Sequence, residues 1–348
     1  MKSTSLILPL VAALGLSLVG CNKKSDPAKS KADPDGAAPA AASAASPAGP
    51  LLLQLKWPAG NQYSERMDMV MEMTMQLPGT PQPMKQDTTM GQEYFLTAGG
   101  ARPGGGRELT LTFGDFDLHV TMNGNSVMNL DTRGESIDQQ NPIGDSLRKI
   151  AGAKFKCLLD ASNNVEKVEG AKEFLDKLGG GGQDQSRQVL QSVFNEDYLK
   201  QMISFGQGFP TEPVRPGTTW PTKLEVAMGP MGTMAMELNH TFKGWETRQK
   251  RRCALIEFTG TLKSKGEGGV GAMGVALKFD DGTTTGKSWF DPELGTVVET
   301  AMQSKMNVTM GLPGQAGAPG EAGRGTTMKS QINQTVNVQM TEVKIAGK

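Results

Sequence analysis

The chain has 348 residues, with Lys plus Arg equal to Asp plus Glu at 36 each. No excess of positive charge draws it to nucleic acid, and no nucleic-acid partner is expected. Residues 51–348 suffice for one large or two small cores.

Residues 1–20 follow a secretory plan. Lys2 provides the positive start, and Leu6–Val19 is an apolar stretch too short for a membrane span, which needs about 20 apolar residues. It ends in Leu18-Val19-Gly20-Cys21, the order that lipoprotein signal peptidase reads, in place of an Ala-x-Ala ending. Cys21 is the lipidation site this implies. Its thiol takes a diacylglyceryl group, and cleavage frees an amine for a further acyl chain, giving a stable membrane anchor. Asn22 resembles the outer-membrane sorting signal of bacteria with two membranes. The expected location is the cell envelope, lipid-anchored, at the outer membrane where there is one.

Residues 21–50 are rich in Ala, Pro, Ser and Lys, and such a stretch buries too little surface to offset its ordering entropy. It reads as a tether spanning roughly 30 Å as a flexible coil and roughly 95 Å when extended.

Residues 51–170 form a first β region. Met67, Met69, Met71, Met73 and Met75 alternate with Asp68, Val70, Glu72 and Thr74; Leu109, Leu111 and Phe113 alternate with threonines; Phe116, Leu118, Val120 and Met122 alternate with Asp117, His119 and Thr121. Asp115 and Asp117 read as a strand start. Arg102–Arg107 reads as an exposed loop. Asn141-Pro142 opens a short helix over 142–151. Phe155–Leu159, a turn from Asp160, then Val165 and Val168 form a hairpin.

Residues 171–208 are a helical connector, with a turn at Ala171–Leu178 and a longer amphipathic helix at Asp184–Ser204. Residues 209–348 repeat the β grammar. Met234, Met236, Leu238, His240 and Phe242 share one face; Trp289-Phe290-Asp291, a turn closed by Gly295, and Val297-Val298 form a second hairpin; Ile332, Val336, Val338 and Met340 alternate with polar residues. The triplet glycines of the loop at 311–325 are too few for a collagen helix, which also needs three chains. The fold class is mainly β with some helix (α+β): two related antiparallel β-meanders forming a curved sheet or half-barrel, with a central helical segment packed on it.

The segment Pro213-Val214-Arg215-Pro216-Gly217-Thr218-Thr219-Trp220, together with Asn141-Pro142 through Gly152-Ala153-Lys154-Phe155 and the turn that follows, resembles a set of uncharacterised bacterial lipoproteins grouped by a domain of unknown function. The likeness runs in order through most of residues 51–345. It implies an exported, anchored, β-rich domain and no activity. The layout also resembles, in element order alone, the half-barrel of periplasmic lipoprotein carriers, where a sheet wraps a helical plug.

Five same-face methionines are unusual in a strand, where β-branched and aromatic side chains are favoured. Unbranched thioethers fill irregular cores, which is the first reading. The second leaves Met67, Met69, Met71, Met73, Met75, Met234 and Met236 lining a concave face for an apolar ligand such as an acyl chain. The third is a Cu(I) site, since thioethers select that ion. Same-face neighbours about 6.8 Å apart along a strand cannot share an ion, so a partner such as Met234, Met236 or His240 is required.

Asp280–Ser288 approaches a phosphate-binding loop, but its first glycine would fall at Asp281, and the segment reads as turn plus strand. There is no Gly-x-Ser-x-Gly, His-Glu-x-x-His or paired-cysteine motif. The expectations are therefore no catalytic residues, no metal, no cofactor and a non-catalytic envelope role. Cys157 and Cys253 either pair or remain free thiols.

Overall fold

A computed structural model describes residues 49–76, 80, 82–134, 148, 150–178, 196, 199–200, 208–227, 233–265, 269–270, 276–312 and 326–347. The expected signal peptide and lipobox and nearly all of the expected tether lie outside these residues. So does the expected 142–151 helix apart from Arg148, Ile150 and Ala151. Of the Asp184–Ser204 helix, only Glu196, Leu199 and Lys200 are described, and the 311–325 loop is described only at Gly311 and Leu312.

The protein is mainly β. In chain order the strands are β1 (Gln62–Met75), β2 (Met84–Ala101), β3 (Arg107–Met122), β4 (Asn125–Asp131), β5 (Lys154–Leu159), β6 (Val165–Glu169), β7 (Thr219–Ala227), β8 (Thr233–Arg248), β9 (Arg251–Lys265), β10 (Gly269–Val270), β11 (Ala276–Asp291), β12 (Thr296–Leu312) and β13 (Thr326–Lys344). They form one antiparallel sheet ordered β6-β5-β3-β2-β1-β13-β12-β11-β9-β8-β7, with β4 beside β3 and β10 beside β11. The two meanders thus join into a single sheet through β1 and β13, paired from Gln62 opposite Lys344 to Met75 opposite Ser330. Among the described residues, the helix α1 (Ala171–Leu178) follows β6 and lays Phe174 edge-on against Phe155 at 5.2 Å.

Alternation places one side of nearly every strand in a continuous core. Along β1, Tyr63 and Met67 through Met75 are buried, whereas Asp68, Val70, Glu72 and Thr74 are exposed. Leu238 and Phe242 on β8 and Ile332, Val336 and Met340 on β13 extend that core. The other side carries paired charges. Arg66 reaches across β2 to Asp117 on β3 at 3.0 Å, passing over Gly91, where a Cβ would lie 2.1 Å from its guanidinium.

Two strand boundaries differ from the sequence reading. Asp115 and Asp117 do not start a strand, because β3 runs unbroken from Arg107 to Met122. Gly114 and Asp115 instead stand against a single residue of β2, Glu93, as a bulge. Asp280–Gly282 is likewise a bulge within β11 rather than a turn, since the pairing with β12 slips between Phe279 and Asp281. Arg102–Arg107 is a hydrogen-bonded hairpin turn, held also by Arg102 Nη1 donating to Leu159 O at 2.7 Å.

The hairpin turns follow the grammar read from sequence. Asp160 Oδ1 accepts from the Ser162 and Asn164 amides, both at 2.8 Å, and Asp291 Oδ1 accepts from the Glu293 and Leu294 amides at 2.8 and 3.1 Å. Each turn needs one residue of positive φ, supplied by Asn163 (66°) and Gly295 (66°).

The curl of the sheet follows from a segment the sequence reading passed over. Leu51–Trp57 runs extended, with Leu53, Leu55 and Trp57 buried and Leu52, Gln54 and Lys56 exposed. Leu51 exchanges both main-chain hydrogen bonds with Val214, just before β7, at 2.7 and 2.8 Å. Lys56 N donates to Gly295 O at 2.8 Å in the β11–β12 turn, and Leu55 O accepts from Asn163 Nδ2 at 3.2 Å in the β5–β6 turn. Laid flat, the eleven strands would hold their edges about 48 Å apart. Four residues of extended chain span at most about 14 Å. The strap therefore ties together, at one end of the sheet, two edges that curvature has brought close.

Candidate functional site

The inner face of the curled sheet is the candidate site, and pairing registers define its layers. One layer runs Leu118–Met90–Met69–Val336–Met302–Gly286–Phe258–His240–Trp220 across nine strands. The next runs Val120–Thr88–Met71–Gln334–Ser304–Thr284–Gly260–Leu238. The third includes Gln86–Met73–Ile332–Met306–Gly282–Leu262–Met236, and the fourth Met84–Met75–Ser330–Val308.

The five methionines of β1 therefore do share one face, and each is at most 3% exposed. Met234 (0%) and Met236 (4%) point into the same core from β8, but four strands intervene between β1 and β8. The direct cross-strand partners of the stripe are instead Met90, opposite Met69, and Met84, opposite Met75. Met302, Met306 and Met310 form a second methionine row on β12. The sequence signal for these was weak, because polar Gln86, Thr88 and Ser304 occupy the same faces as the methionines.

Those polar residues are the distinctive feature of the face. Ser304 donates to Thr284 Oγ1 at 3.0 Å, Gln86 Nε2 donates to Thr88 Oγ1 at 3.2 Å, and Gln334 Nε2 points at the Met69 sulfur at 2.8 Å. The amide oxygens of Gln86 and Gln334 and the hydroxyl of Ser330 have no partner, although these residues are 1%, 2% and 4% exposed. A buried polar atom without a partner costs about 1–3 kcal/mol. An apolar wall carrying a few such atoms has the composition of a small-molecule pocket. For the Cu(I) reading, Gln334 Nε2 stands on the sulfur of Met69, one of the thioethers such a site would need. Among the described residues, no three of His, Cys, Asp and Glu gather where they could hold a metal.

Glu65 and His240 are ionisable groups on the core side of their strands. Burial pushes the Glu65 carboxyl up to about 7, and its Oε2 has no partner. Burial draws His240 down to about 4; its ring stacks on Trp220 at 5.4 Å, and its Nε2 is unpartnered. Cys157 on β5 and Cys253 on β9 are free and buried, and burial pushes both thiols up to about 12. They form no disulfide, which resolves the alternative left open by the sequence.

A second concavity lies at the end of the sheet opposite the strap, a groove of about 790 Å³ whose lining includes Thr74, Lys278, Asp281, Asn307, Lys329 and Ser330.

No curated protein matches the sequence. Among solved structures, the chain is similar to an exported protein with a YmcC-like fold from Bacteroides fragilis, at 8% identity and TM-score 0.23, covering 84% of this chain and 99% of that one. It is also similar to the COG4313 outer membrane channel from Pseudomonas putida, at 8% identity and TM-score 0.22, covering 81% and 97%. A third is a DUF1329 family protein from Desulfovibrio piger, at 10% identity and TM-score 0.15, covering 84% and 88%. The model for a family of unknown function (DUF6263) matches residues 105–297, from the start of β3 to the start of β12, and the chain belongs to that family.

Proposed function

We propose that this chain is a lipid-anchored, non-catalytic module of the cell envelope, held to the membrane through Cys21 and standing off from it on the tether of residues 21–50. The observation that carries the module reading is the filled inner face: methionines that could have lined an open cavity are 0–3% exposed and serve as core. The anchor rests on the order Leu18-Val19-Gly20-Cys21 behind an apolar segment. Labelling with radioactive palmitate tests it. The wild type should incorporate label, and Cys21→Ser should abolish it and accumulate uncleaved precursor; undiminished label in the variant would end the anchor reading.

A second reading, a carrier or sensor of an apolar ligand, is favoured by one observation. Gln86 and Gln334 leave buried acceptors unsatisfied among adaptable thioethers, so a ligand that repacked the methionines would find hydrogen-bonding positions already in place. Native mass spectrometry of the protein released from membranes decides it. A co-purifying lipid at fixed stoichiometry supports the carrier, and a bare protein mass rejects it.

A further inference from the structure

We propose that Met73, Met75, Met84 and Gln86 form a site for one soft monovalent metal ion, Cu(I), where β1 ends and β2 begins. The inference goes beyond the module reading and does not require the Cys21 anchor.

The four residues are the corners of one cell of the inner face. Met75 stands directly opposite Met84, and Met73 directly opposite Gln86. Opposed side chains start about 5 Å apart across the strands, and same-face neighbours about 6.8 Å apart along them. The middle of the cell therefore lies about 4 Å from each Cβ. A thioether sulfur sits two rotatable bonds beyond its Cβ, so three of them can turn onto an ion placed there. Met84 is the cross-strand partner that methionines along β1 alone would lack.

The fourth corner carries an independent observation. Gln86 is 1% exposed, and its Nε2 donates at 3.2 Å to Thr88 Oγ1, which lies on the side away from Met84. Its Oε1 has no partner. A buried acceptor left unpaired is costly, and a cation in the cell would satisfy it. Three thioethers and one amide oxygen are neutral, and thioethers select Cu(I) over the harder divalent ions that carboxylate, carbonyl and water suit.

Two other pairs of methionines oppose each other on described strands, and neither offers the same set. Met69 faces Met90, but Gln334 Nε2 stands on the Met69 sulfur at 2.8 Å, and the Thr88 hydroxyl opposite Met71 already accepts from Gln86. Met310 faces Met328, but the next pair on that face is Val308 with Ser330, so the cell holds only two sulfurs. The Met73–Met84 cell also stands at the end of its strands. Met84 is half-buried, and Gln76 and Pro83, the next residues outward, are exposed, so an ion reaches Met84 without crossing the core.

Two titrations of the full chain test the site: Cu(I) in competition with bicinchoninate, and Ag(I) followed by NMR of isotope-labelled methionine methyl groups. One equivalent should bind, moving the methyl signals of Met73, Met75 and Met84 together and leaving that of Met302 on β12 in place. Met75→Leu and Met84→Leu conserve volume, and each should weaken Cu(I) binding by about tenfold or more, as should Gln86→Leu. Met302→Leu should leave it unchanged. Absence of binding, methyl shifts confined to other methionines, or wild-type affinity in Gln86→Leu or in the variant combining Met75→Leu with Met84→Leu overturns the proposal. Binding without methyl shifts overturns it equally, because it would place the ion on the buried thiols of Cys157 and Cys253.

Discussion

At one end of β1, Tyr63 lies edge-on to Trp57 with ring centroids 5.3 Å apart, and the strap fixes the backbone there through Val214, Gly295 and Asn163. At the other end, Met71, Met73 and Met75 pack beside Gln86, Gln334 and Ser330, three side chains with polar atoms left unpartnered. The same strand is closed by rigid aromatic rings and main-chain bonds at one end and by flexible, unbranched side chains at the other. A sheet that curls without closing must be sealed somewhere. Here the directional, sequence-distant contacts do the sealing at the strap, and the remaining irregular volume is filled by residues with enough torsional freedom to fit it.

Removing the strap's anchor ring should have the largest effect. Trp57 is 2% exposed, and Trp57→Ala should cost about 3–5 kcal/mol, read as a lowered urea midpoint. A loss below 1 kcal/mol would mean that the strap does not close the fold.

The next effect divides the two meanders by pH. Glu65, on β1, has its carboxyl raised by burial to about 7, so its contribution favours folding below the unfolded value near 4.5 and is lost as pH rises through 7. His240, on β8, is lowered by burial to about 4, so its contribution is present above about 6.5 and lost as pH falls through 4. Between pH 4.5 and 6.5 the two oppose one another. Glu65→Gln should unmask stability that rises with pH across that window, and His240→Phe stability that falls. The Glu65 amplitude is on the order of 3 kcal/mol, and that of the less buried His240 is smaller. Urea midpoints measured from pH 4.5 to 8 check both, and parallel profiles for the two variants would refute the opposition.

The smallest effect belongs to the methionine end. Met73→Leu conserves volume and should cost less than about 1.5 kcal/mol, measured by the same unfolding curves. A larger loss would show that the thioether's shape, rather than its bulk, is required there.

Much of this architecture was legible in the sequence for a physical reason. Where a strand has one wet and one dry face, the period of two is written in its residues, as along Met67–Met75 and Leu109–Phe113. Turns that need a capped amide and a positive φ likewise announce themselves through Asp160 and Asp291. The strap was harder to read because Leu52 puts a leucine on its wet side and blurs the alternation of Leu51, Leu53, Leu55 and Trp57. The candidate site was half legible. The β1 stripe stood out, but its partners Met84 and Met90 share a face with Gln86 and Thr88, which masks the apolar pattern of β2. The pairing of β1 with β13 has no local signal at all, since it joins residues some 270 positions apart in a register such as Met69 opposite Val336. The groove depends on a bulge and on that same long-range pairing, so neither its charges nor its position could be assembled from neighbouring residues.

That central pairing governs the order in which the molecule can be made. Of the described strands, β1 is the first to emerge from synthesis, and β13, 19 residues long, is the last. Until the final segment arrives, the first-made strand keeps one edge of its hydrogen-bonding groups unpaired and its methionine side without a neighbour on that flank. Completion of the sheet is thus a terminal event, and closing so long a chain loop makes it a slow one. An interval follows in which the nascent protein offers an unpaired, apolar strand to chaperones.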